Sequence, residues 1–108
     1  MRFNFYKNIE ALRITYNPLD YFHPSLIVPT EHDAYFRHQL IKGYVHDQGA
    51  ALFGGVALHA GVFSNAIDMM KLMQLYLDGG RYLDHQIISS NNIYKSVSYT
   101  HLTLPTKA

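Results

Sequence analysis

The feature that most constrains this chain is the run from Gly43 to Asn65 and the helix it leads into at Ala66. Five of the seven glycines fall in this run, with two histidines, one aspartate and neither lysine nor arginine. Glycine is used where the backbone needs positive φ or where something must approach the chain closely. A glycine-dense loop that ends on a helix N-terminus is therefore a candidate wall of a site. The helix itself is predicted over Ala66–Asp78. Asp68, Lys71, Gln74 and Asp78 fall within a stripe about 120° wide at about 100° per residue, and the other positions are nearly all apolar. Asn65 is a suitable N-cap, Asp68 completes an Asn-x-x-Asp capping box, and Gly79-Gly80 supplies a C-terminal glycine. So wide an apolar face implies burial on more than one side, more than 108 residues readily cover. The helix reads as part of something larger.

Upstream signals are weaker. Phe3 to Leu12 has helical spacing and reads as the tail of a helix begun earlier. Arg13 to Tyr16 is β-prone, and Asn17-Pro18-Leu19-Asp20 is a turn. His23 to Thr30 is expected to be a loop with a short edge strand at Leu26-Ile27-Val28, because two prolines flank it. Glu31 to Lys42 reads as a short half-buried helix or an irregular segment. Downstream, Arg81 to Ile88 suggests a turn and a short strand, and Ser89 or Ser90 caps a helix that starts at Asn91 and does not develop.

Composition narrows the function classes. The length suits one small domain, and nine tyrosines and six phenylalanines supply a core. A formal charge of +1, scattered along the chain, argues against nucleic acid as a partner. With no cysteine there is neither a disulfide nor a thiolate metal site. No apolar run reaches the roughly 18 residues of a membrane span, so no transmembrane segment is expected. The start carries no apolar signal-peptide core.

The motifs that carry chemistry are mostly missing. His23, His32, His38, His46, His59, His85 and His101 match no zinc spacing, so a histidine metal domain is an alternative only. There is no Gly-x-Ser-x-Gly elbow and no Ser-x-x-Lys, and Ser64 reads as a helix-start residue. No phosphate loop or dinucleotide fingerprint is present, and no cofactor is expected. His46 and Asp47 form a relay only if their side chains converge, which neighbours in an extended segment do not do.

Gly43 to Ala50, followed by Gly54-Gly55-Val56-Ala57-Leu58-His59-Ala60-Gly61-Val62-Phe63-Ser64-Asn65-Ala66-Ile67-Asp68, resembles a pattern of the β-lactamase-related serine hydrolases. That pattern is Val-His-Asp-x-x-Ala … Gly-Gly-Val-Ala-Gly-His-Ala-Gly-Leu-Phe-Ser-x-x-x-Asp-Leu, found in penicillin-binding-protein-like and class C β-lactamase-like enzymes. Thr15 to Leu19, Ile27 to Glu31, Leu75 to Gly80 and Ile87-Ile88-Ser89 are also similar to that family, and Leu58 stands where it usually has glycine. The resemblance implies an α+β protein with a partial β-lactamase/transpeptidase-like fold, this chain being its helix- and loop-rich middle portion. It implies an acyl-enzyme on a serine, with lysine and tyrosine moving protons. The Ser-x-x-Lys and Tyr-x-Asn motifs would precede Met1 and the Lys-Thr-Gly or His-x-Gly motif would follow Ser96. Tyr6-Lys7-Asn8 and His59-Ala60-Gly61 match two of these literally but stand in the wrong places.

On this reading residues 1–96 are a fragment missing the remainder of its own domain, with no catalytic residue. His46, Asp47 and His59 are the candidate lining residues of a site for a small-molecule or peptidoglycan-like substrate. A periplasmic or cell-envelope location is the family expectation. Val97 to Thr106 also resembles the translation of a transposon-end sequencing adapter, so 97–108 is expected to be non-native. The alternative from another class is a small non-enzymatic binding module with a tyrosine-rich surface.

Overall fold

The structure is a computed structural model that describes residues 5–103. The Phe3 end of the first helical reading, the side chain of His101 and residues 104–108 lie outside the described residues. The chain is mixed α and β and divides into two compact units, Arg13–Asn65 and the segments on either side of it.

In the 13–65 unit, β1 (Pro29–Asp33) pairs antiparallel with β2 (Gln39–Lys42), with a register shift between Pro29 and Glu31. This hairpin replaces the helical or irregular reading of Glu31 to Lys42. The edge strand also moves, because Pro24–Leu26 forms a 3-10 turn and the strand begins at Pro29. No glycine or asparagine makes the hairpin's loop; a carboxylate does, as described below. Ile41, Val45, Ile14 and Ala50 form the buried core of this unit.

The glycine-rich run folds back onto the Thr15–Pro18 turn. Thr15 and Phe63 exchange backbone hydrogen bonds at 2.9 and 2.8 Å, and the Tyr16 hydroxyl donates to the Ala57 carbonyl at 3.0 Å. Gly61 has φ of 120°, and a Cβ there would overlap the Gly55 carbonyl and press the Tyr16 ring. What approaches the glycines closely is therefore the chain's own earlier turn. Leu58 keeps a negative φ and is fully exposed, so the family's glycine is not needed there for conformation. Within the run, α1 (Gln48–Leu52) is a single helical turn.

In the other unit, α2 (Ala66–Leu77) ends as predicted. The Gly80 amide bonds the Leu75 carbonyl at 2.8 Å and the Gly79 amide bonds Tyr76 at 3.2 Å, with Gly79 left-handed at φ 68°. This is a Schellman ending. A Cβ at Gly80 would collide with the Ile88 carbonyl. The predicted turn and strand form a short hairpin of β3 (Arg81–Tyr82) and β4 (His85–Gln86). Tyr6–Ile9 is a 3-10 turn rather than the tail of an α-helix, and it buries Ile9, with Ala11 following.

The last element departs from expectation. α3 runs from Ser90 to Thr103, with the Ser89 hydroxyl accepting from the Asn92 amide at 3.1 Å as its cap. Val97 and Thr100 do not stop it, since β-branched residues lower helix propensity by well under about 1 kcal/mol each. Among the described residues of this unit, Ile9, Ala11, Leu75 and Ile93 are the buried hydrophobic ones. Among the described residues no helix is long and apolar enough to cross a membrane.

Candidate functional site

The candidate site grows from the end of β1. Asp33 is buried, and its carboxylate accepts the amides of Tyr35 and Phe36 at 2.9 Å and of Arg37 at 3.1 Å. These bonds wrap residues 34–37 around one side chain and make the loop of the hairpin. Arg37 Nε adds a fourth bond at 3.0 Å. A buried carboxylate is tolerated when it is paired and its lone pairs are filled. The Phe36 and Tyr35 amides, followed by the Arg37 guanidinium, hold its carboxyl well below the ordinary value of 3.8.

The same guanidinium then reaches across the unit. Arg37 Nη1 donates to the Val45 carbonyl at 2.6 Å, and Nη2 donates to the His46 carbonyl at 2.9 Å and to Glu31 Oε1 at 3.3 Å. Only arginine has enough donors in one plane to hold a carboxylate and two carbonyls together. The backbone entering Asp47 is thus fixed by a residue eight to nine positions earlier.

His46 and Asp47 take different partners. His46 Nδ1 lies 2.6 Å from Glu31 Oε1. Asp47 caps α1 by accepting the Ala50 amide at 2.8 Å, and the same Oδ1 lies 3.0 Å from His59 Nε2. The Ala50 amide, then the hydrogen bond and charge of His59, hold the Asp47 carboxyl below its ordinary value. An ionised carboxylate only accepts, so His59 carries its proton on Nε2 and turns Nδ1 away from Asp47. Such a contact orients the imidazole. The Ser64 hydroxyl donates to the Asn65 carbonyl at 3.1 Å.

Of the three sequence candidates, the structure brings Asp47 and His59 together and gives His46 a separate partner. Glu31, Asp33 and Arg37 carry no motif that marks them. Their only sequence signal is the Asp33/Arg37 spacing, which in a helix-or-irregular reading of that stretch is an ordinary surface pair. A cavity of about 330 Å³ in the same unit, with Pro18, Phe22, Leu26, Ile27, Val28 and Phe63 in its wall, includes none of the three candidates. Among the described residues no three histidine, aspartate or glutamate side chains are placed to hold a metal ion.

No protein-family model matches the chain, and no solved structure matches it. Curated proteins do. The chain is 35% identical over 100 residues to an Escherichia coli K12 protein named "Putative D-alanyl-D-alanine carboxypeptidase", covering 82% of this chain and 23% of that protein. Proteins of the same name from Salmonella typhi and Salmonella paratyphi B are 34% and 38% identical, over 100 and 89 residues. These matches cover 82% and 71% of this chain and 23% and 21% of the relatives. The chain therefore spans less than a quarter of the length of these relatives, and the matches support a distant peptidase- or serine-hydrolase-like relationship.

Proposed function

We propose that this chain is an internal portion of a β-lactamase-related serine hydrolase that acts on cell-wall peptides through an acyl-enzyme. The observation that carries the reading is the 35% identity to the E. coli protein over 82% of the chain. The run from Gly43 to Asp68, the richest in family pattern, supports it. The nucleophile and its base belong to the parts of the longer protein not spanned here, so the chain by itself is inert. Asp47 and His59, with His46 beside them, are assigned to the wall of the substrate cleft, where Asp47 holds the imidazole in place. Residues 97–108 are read as adapter-derived, and the longer protein as a cell-envelope enzyme.

The test is to follow the reading frame in the source DNA and label the longer protein with a fluorescent penicillin. The expected result is a Ser-x-x-Lys frame upstream, labelling at that serine, and no labelling of the 108-residue chain. A frame without Ser-x-x-Lys, or labelling of the chain itself, overturns the proposal.

A further inference from the structure

α2 buries an arc that takes in Asp68 and Lys71 of its predicted polar stripe, while Gln74 and Asp78 stay exposed. Asp68 and Leu75 are buried and Lys71 and Leu72 half-buried, which at about 100° per residue is one arc about 100° wide. Lys71 Nζ donates to the Glu10 carbonyl at 2.6 Å and lies 3.6 Å from Asp68 Oδ1, so part of the predicted polar stripe is engaged within its own unit. On the opposite side Met69, Met70, Met73, Tyr76 and Leu77 share an arc of about 120°. All five are exposed, Leu77 by 80%, and no charged side chain interrupts them.

A surface helix ordinarily turns its charged stripe to water and its apolar face to the core. A contiguous exposed apolar face marks a surface that something else covers. We propose that the face of α2 formed by Met69, Met70, Met73, Tyr76 and Leu77 is a core surface, covered by an apolar segment of the longer polypeptide to which this chain belongs. This rests on the function proposed above. The occupant is identified by length and by chemistry. The matched relatives carry more than three-quarters of their residues outside the stretch this chain spans. The face itself carries no arginine and no charged residue, the uncharged make-up of a domain interior. Methionines, with their flexible side chains, fit such a surface to irregular neighbours.

The chain has no cysteine, so a single Met73→Cys substitution reports on this face without background. In the 108-residue chain the thiol should react with iodoacetamide at close to the rate of free cysteine. In the longer protein read from the source DNA it should react at least ~100-fold more slowly, the protection a core position gives. Leu77→Cys is the second variant, and circular dichroism confirms that each is folded. Equal reactivity in the two proteins, or a reading frame that does not extend, overturns the proposal. So does protection that grows with the concentration of the 108-residue chain, which would assign the face to a second copy. Penicillin labelling is scored separately, so protection without labelling keeps the core surface and removes the hydrolase reading.

Discussion

Asp47 Oδ1 holds two donors at once, the amide of Ala50 at 2.8 Å and the imidazole of His59 at 3.0 Å. One carboxylate thereby starts α1 and pins a histidine twelve residues away. The two bonds separate experimentally. In a His59→Ala variant the Asp47 carboxyl should titrate higher than in the parent, yet still below 3.8, because the Ala50 amide is the larger cause of its lowering. Carboxyl-carbon NMR titration measures this, and an unchanged midpoint would show that His59 contributes nothing to the site.

Arg37 should be the least replaceable charged residue of the 13–65 unit. Arg37→Ala leaves Asp33 buried without its counter-charge and frees the Val45 and His46 carbonyls, so it should destabilise strongly. Arg37→Lys restores the charge but not the planar donors, and should fall between parent and alanine variant. Urea midpoints rank the three, and equal midpoints for Lys and Arg would contradict the geometry.

Acid should loosen the hairpin. Asp33 has a folded-state pKa below its unfolded value of 3.8. Its contribution is complete above about 3.8 and is lost as pH falls below that toward the folded value. Stability measured from pH 5 downward should therefore drop below pH 4, and the drop should shrink in Asp33→Asn, which has no such titration.

Two residues on α2 should respond oppositely to truncation. Leu75 is 1% exposed, and Leu75→Ala should cost about 2–5 kcal/mol. Met70 is 69% exposed, and Met70→Ala in the same chain should change stability by less than about 0.5 kcal/mol. Chemical denaturation of both variants checks the pair, and similar losses would mean that α2 packs by its other face.

Gly80→Ala should destabilise by about 1–3 kcal/mol or more, since φ is 87° and the new methyl group meets the Ile88 carbonyl. Amide exchange should report the loss at Ile87 and Ile88, whose amides both bond the Gly80 carbonyl. Unchanged protection at those two amides would contradict this close approach.

The sequence by itself determined the features that are settled within a few residues. α2 begins at Ala66 and stops before Gly79-Gly80, a serine at 89 or 90 starts a helix, and Pro18 opens a turn, because caps and fixed dihedrals act locally. The tertiary structure decided what depends on distant partners. The 29–42 hairpin closes around the Asp33 carboxylate rather than on a glycine turn, so its sequence carries neither glycine nor asparagine to mark the loop. Asp47 meets His59 only because the glycine run folds back against Thr15 and Tyr16. α2 buries Asp68 and sends Lys71 to the Glu10 carbonyl, a partner far outside any local pattern. Periodicity shows that a helix has two faces; which of them is buried depends on what the rest of the chain brings to it.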